Sequence, residues 1–169
     1  MRTKRLRNED RPLIHKYAEV WLNEAVELLR PDFAEAGYEI PPVHLSVGFS
    51  TDGYKPTAKK NTIAVCHAKC MTIDGINEIF ISPIVYEPVD VISLLVHELV
   101  HAIDDCKSGH GEGFQKISVA LKCGDNLSVP NMEFREQVQK YRTIADKLGR
   151  YPRSGVNYSK SFNFEHTSH

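Results

Sequence analysis

The sequence predicts an α+β domain in which a small sheet of about three strands packs with an N-terminal helix and with a second helix bearing the pattern H-E-x-x-H. Three observations lead there. A chain of 169 residues fits one domain of ordinary size rather than two. Hydrophobic residues at 41% and charged residues at 25% are globular proportions, which exclude disordered, collagen-like and disulfide-scaffold classes. Apolar spacing changes along the chain from three- and four-residue steps to strict alternation and back, the signature of a helix, then strands, then helices.

The first element is an amphipathic helix. Between Arg11 and Leu29, the residues Leu13, Ile14, Tyr17, Val20, Trp21, Ala25, Leu28 and Leu29 recur at helical steps, and Pro31 is expected to end the run. After Pro41-Pro42, alternation of Val43, Leu45, Val47 and Phe49 with His44, Ser46 and Gly48 gives a half-buried strand. The turn-rich stretch Ser50 to Lys60 leads to a second strand around Thr62 to Ala68, and Asp74-Gly75 turns the chain into a third, Glu78 to Ser82. Pro88 suits the first turn of a helix to about Asp105, where its missing N–H costs nothing. Gly109 and Gly111 separate it from a helical segment at about Glu112 to Lys122, and a last amphipathic helix covers Met132 to Leu148. The folded domain is therefore expected over residues 1–148, with 149–169 as a basic tail.

Several classes are excluded or narrowed. The longest apolar run, Val91 to Ile103, is interrupted by Ser93, His97, Glu98 and His101 and falls short of the roughly 20 residues a membrane span needs, so no membrane role is expected. The basic N-terminus lacks the apolar stretch of a secretory signal, and the expected location is the cytoplasm. Cys66, Cys70, Cys106 and Cys123 form no C-x-x-C pair and read as ordinary thiols, with Cys66 and Cys70 as small buried hydrophobes. The net charge of -1 conceals a gradient: residues 1–16 carry six Lys/Arg against two acids, 17–134 eight against seventeen, and 135–169 seven against three. Basic ends flank an acidic middle, as solvated tails or as a rim for nucleic-acid phosphate.

The chemistry lies in His97-Glu98-Leu99-Val100-His101. At 3.6 residues per turn the two histidines sit about 40° apart around the helix and one turn apart along it, so both imidazoles can meet one ion at about 2.0–2.1 Å. Glu98 is rotated about 100° from His97 and about 60° from His101, within reach of a water on that ion without being its ligand. Chance supplies about 0.03 such patterns in a chain with eight His and thirteen Glu. Burying these three polar groups unpaired in an apolar helix would also be costly. A catalytic zinc takes three protein ligands and keeps a fourth position open. His110, flanked by Gly109 and Gly111, is the leading third ligand, Glu112 is the main rival, and Asp104 and Asp105 stand behind it. His15, His44, His166 and His169 read as non-ligands, and His67 as a structural histidine whose strand borders the cleft.

His97-Glu-Leu-Val-His101-Ala102, followed by Gly109-His110-Gly111-Glu112-Gly113-Phe114, resembles the H-E-x-x-H-A … H-G-x-x-F pattern of SprT-like zinc metallopeptidases, the family that includes the DNA–protein crosslink protease Spartan. The likeness in order of elements covers roughly residues 12–123. It implies a zincin-like metallopeptidase domain with Zn2+ as cofactor, His97, His101 and His110 as its ligands, and Glu98 as catalytic base.

The expected activity is then peptide-bond hydrolysis by a zinc-activated water, on a protein or peptide substrate, with DNA-associated proteins as one target class. Strand 78–82 is the expected edge for pairing an extended substrate. Arg150, Tyr151, Arg153 and Tyr158 are candidates to stabilise the oxyanion. The alternative is a zinc-stabilised nucleic-acid-binding module, its basic ends on phosphate and its metal site closed by Cys106 or Cys123.

Overall fold

A computed structural model describes residues 6–49, 62–123, 132–153 and 155–156. Among them the chain forms α1 (Ala18–Glu35), β1 (Val43–Val47), β2 (Ala64–His67), β3 (Asn77–Ile81), α2 (Pro88–Ile103), α3 (Glu112–Ala120) and α4 (Met132–Leu148). The class is α+β, with four helices and a three-stranded mixed sheet among the described residues.

The first helix starts later and ends later than its apolar spacing suggests. Residues 11–17 are not helical, because this stretch is paired elsewhere: the Arg150 N–H donates to the Pro12 carbonyl at 2.7 Å and the Arg150 Nε to the Arg11 carbonyl at 3.1 Å. Leu13, Ile14 and Tyr17 consequently stand more than half exposed. At the other end α1 runs through Pro31. That proline removes one ladder hydrogen bond, but Leu29 and Phe33 on either side of it are fully buried, and their burial holds the last turn in place.

The sheet order is β1-β3-β2, with β1 parallel and β2 antiparallel to β3. The strand expected to be an edge, 78–82, lies at the centre, paired along Asn77–Ile81 with Val43–Val47 on one side and along Glu78–Ile81 with Ala64–His67 on the other. Its alternation sets the packing face: Asn77, Ile79 and Ile81 are buried on one side, where β3 meets α2. β2 is the edge strand nearest α2.

Core burial centres on α2. Val91, Ile92, Leu95, Leu99 and Val100 are fully buried against β2, β3, α3 and α4. The core also reaches past residue 148. Tyr151 is fully buried with its ring edge-on to Trp21 at 4.9 Å, and the Asn8 side chain clasps its backbone, accepting its N–H at 2.8 Å and donating to its carbonyl at 2.9 Å. Farther on, the Val156 N–H donates to the Pro83 carbonyl at 3.0 Å, tying Val156 to the loop that leads into α2. No described helix is long and apolar enough to cross a membrane.

Candidate metal centre

Pro88 opens α2 and five apolar residues between Val91 and Leu99 bury its inner face, leaving His97 and His101 half-buried on a shared outer stripe. The helix ends abruptly. Asp105 and Cys106 both take left-handed backbone angles, φ 50° and 57°, and the Cys106 N–H closes on the His101 carbonyl at 2.8 Å. The Asp105 carboxylate stabilises that turn by accepting the Lys69 N–H at 2.9 Å and the Asn77 Nδ2 at 3.0 Å.

From there the chain reverses around Ser108. Asp104 accepts both the N–H and the hydroxyl of Ser108, and Ser108 Oγ accepts the Phe114 N–H at 2.9 Å in the first turn of α3. Glycine is needed at this crossing, since a Cβ on Gly111 would lie 2.9 Å from the Ser108 carbonyl oxygen and one on Gly113 2.9 Å from Ser108 Oγ. The reversal carries His110 back over α2.

The result is a convergence of three imidazoles. His110 Nε2 lies 3.1 Å from His97 Nε2 and 3.2 Å from His101 Nε2, and one donor atom from each residue falls within 4.8 Å of the others. A tetrahedral zinc bonded at about 2.0–2.1 Å sets its nitrogens about 3.3 Å apart, so this donor set fits such an ion. Burial pulls His97 and His101 down to about 4, helped by neighbouring histidines. Both are neutral at pH 7 and present lone pairs.

Phe114 forms the floor of the cluster. Its ring centroid lies 4.9, 4.5 and 5.1 Å from those of His97, His101 and His110, and the side chain is 3% exposed. Phe114 closes the H-G-x-x-F pattern, and the sequence alone assigns it no role. Its signal was the spacing of four from His110, which brings it under the rings once α3 begins at Glu112.

Glu98 points to the sheet. It is 5% exposed; burial pushes its carboxyl up to about 8, while the Cys66 backbone N–H, donating to it from β2, pulls the other way. The Cys66 carbonyl accepts Cys106 Sγ at 3.4 Å. With N–H and C=O both directed away from β3, Cys66 turns the outward edge of β2 towards Glu98 of α2 and Cys106 just beyond it.

The other candidates are placed elsewhere. Glu112 is exposed at the start of α3 and is not among the converging side chains. Asp104 and Asp105 hold the loop rather than joining the donors. His67 stacks edge-on to Phe80 at 5.8 Å, and His44 pairs with Asp74 at 2.7 Å. Cys66 is buried as expected, but Cys70 is exposed, because it sits in a 3-10 turn just beyond β2. Cys123 lies against Tyr141, and among the described residues no cysteine joins the three histidines. The Arg150 guanidinium sits on the Glu9 and Arg11 carbonyls, and Tyr151 against Trp21, both in the N-terminal clasp. Tyr158, His166 and His169 lie outside the described residues. Comparison with protein-family models, with curated proteins and with solved structures finds no match to this chain.

Proposed function

We propose that this chain is a zinc-dependent metalloendopeptidase of the SprT-like kind, a zincin-like domain that hydrolyses peptide bonds with Glu98 as general base. The observation that carries the reading is the convergence of the His97, His101 and His110 Nε2 atoms, with a buried glutamate, Glu98, on the same helix as two of them. A zinc ion held by those nitrogens would supply Lewis-acid activation of a water and of the scissile carbonyl.

The protein's own part is proton handling and positioning. Once ionised, the buried Glu98 carboxylate is a stronger base than an ordinary glutamate, which suits it to take a proton from the attacking water and pass it to the leaving amine. The Cys66 N–H steadies the carboxylate before the first transfer and after the second. The 78–82 strand expected to receive an extended substrate is central in the sheet, and on the outward edge of β2 the Cys66 N–H and C=O are already engaged by Glu98 and Cys106.

The structure lends less to a phosphate-gripping module. The two basic ends do meet in the N-terminal clasp, but Arg7 is engaged by Glu9 and Asp10, Arg11 by Asp146, and Arg150 by backbone carbonyls. DNA-associated proteins remain one substrate class within the proposal.

The test is cleavage of an unfolded protein by wild type and Glu98→Gln at matched zinc content. The amide keeps shape but cannot accept a proton, so the rate should fall about 10²–10⁴-fold. Equal cleavage by both removes Glu98 from the chemistry.

A further inference from the structure

Two thiols meet beside Glu98, and the metal centre uses neither. Cys66, on β2, is buried, and Cys106, in the turn that ends α2, is partly exposed. They stand forty residues apart in sequence, yet Cys106 Sγ lies 3.4 Å from the Cys66 carbonyl oxygen. Their two sulfurs are close enough to perturb each other's ionisation. Cys70 is exposed in the turn beyond β2, and Cys123 lies against Tyr141.

The backbone at Cys106 is unusual for this residue. Its φ of 57° lies in the left-handed region, where glycine and asparagine are common and cysteine is not. The turn is held by the Cys106 N–H on the His101 carbonyl and by the Asp105 carboxylate on Lys69 and Asn77, and none of these bonds needs a thiol. The turn thus favours other residues, and its half-open position gives a cysteine little apolar burial. What Cys106 adds is a sulfur directed at Cys66.

We propose that Cys66 and Cys106 are an oxidation site, joined by a hydroperoxide into a disulfide that staples β2 to the turn between His101 and His110. The partly exposed Cys106 reacts first. Its sulfur attacks a peroxide oxygen, an S–O bond forms as the O–O bond breaks, and the departing alkoxide or hydroxide takes up the thiol proton. The buried Cys66 sulfur then attacks that of Cys106, forming S–S as S–O breaks, and its proton leaves with the hydroxide as water. Together the two sulfurs lose two electrons, which the peroxide gains. Burial raises both thiols, so the first step is slow and answers sustained rather than brief oxidant. The product joins the strand that bonds the Glu98 carboxyl to the end of the helix that carries His97 and His101.

The test is incubation of zinc-loaded full-length protein with hydrogen peroxide, followed by peptide mapping without reductant and by thermal unfolding. A Cys66–Cys106 crosslink should form in wild type and equally in Cys70→Ser. It should raise the unfolding temperature by about 10 °C, because closing a loop of forty residues restricts the unfolded chain. Dithiothreitol should reverse both changes. Cys106→Asn, suited to the left-handed turn, should fold and hold zinc like wild type before oxidation and show no rise after it. The assignment is overturned if no crosslink forms, if peroxide joins Cys106 to Cys70 or Cys123, or if Cys106 reaches sulfinic acid while Cys66 stays free. A Cys66–Cys106 crosslink that lowers the unfolding temperature would overturn the staple as well. None of these readouts depends on peptide hydrolysis.

Discussion

The Cys66 backbone N–H donates to the Glu98 carboxylate, so one main-chain group of the edge strand touches the proposed general base. This ties the edge strand of the sheet to the residue that would move protons. It also leaves Glu98 with a folded-state pKa of about 8 against an ordinary 4.5, because burial outweighs that single hydrogen bond.

A pH prediction follows for protein stripped of metal by a chelator. Glu98 is raised on folding, so its stabilising share is complete below about pH 4.5 and is lost as pH rises through 8. His97 and His101 are depressed to about 4 from 6.5, so their share is complete above pH 6.5 and is lost as pH falls towards 4. Near pH 7 the three balance best. Glu98→Gln should remove the alkaline loss, stabilising the metal-free protein by a few kcal/mol at pH 8 and far less at pH 5. Thermal unfolding across pH checks this; an equal increment at both pH values would show that the Glu98 charge is not the cause.

Metal retention should separate the candidate third ligands. His110→Ala removes one of three converging nitrogens and should lower zinc content from one ion per chain to near zero after dialysis, whereas Glu112→Ala, altering an exposed side chain, should change nothing. Elemental analysis reads both. Full retention in the first with loss in the second would move the ligand to Glu112.

Phe114 offers a subtler case. Replacing it by leucine keeps an apolar side chain beneath the rings but gives up the aromatic face packed at 4.5–5.1 Å, so the imidazoles lose orientation without losing a donor. Zinc affinity, measured against a chromophoric chelator, should fall about 10–100-fold, as for other residues that orient metal ligands. Unchanged affinity would reduce Phe114 to core filling.

What the sequence made legible follows from how local each signal is. Two histidines four apart on a helix carry their geometry with them, and a glycine-flanked His110 needs only a short reversal. The first strand shows in its alternation, and the other two in the turns that bound them. Their order does not show, because placing β3 at the centre depends on β1 pairing with it across some thirty residues, and periodicity records no partners. Pro31 misled for a related reason: its local cost is real, but the burial of Phe33 that outweighs it is tertiary. Nothing local marks Tyr151 as core, because its partners, Asn8 and Trp21, are well over a hundred residues away.

That clasp gives the last prediction, in which two substitutions at one residue should act in opposite directions. Tyr151 is fully buried, and its hydroxyl has no hydrogen-bond partner among the described residues. Removing the whole ring with Tyr151→Ala should open a cavity against Trp21 and cost about 3–5 kcal/mol. Removing only the oxygen with Tyr151→Phe takes away a buried polar group that gains nothing from the fold, and should leave stability unchanged or raise it by about 1 kcal/mol. Because the ring faces the N-terminal clasp and not the histidines, Tyr151→Phe should also leave peptide hydrolysis intact. Chemical denaturation of both variants, with activity measured alongside, decides the matter. If Tyr151→Phe kept its stability but lost activity, the hydroxyl would belong to the reaction after all, and the placement of residues 149–153 in the clasp would have to be abandoned.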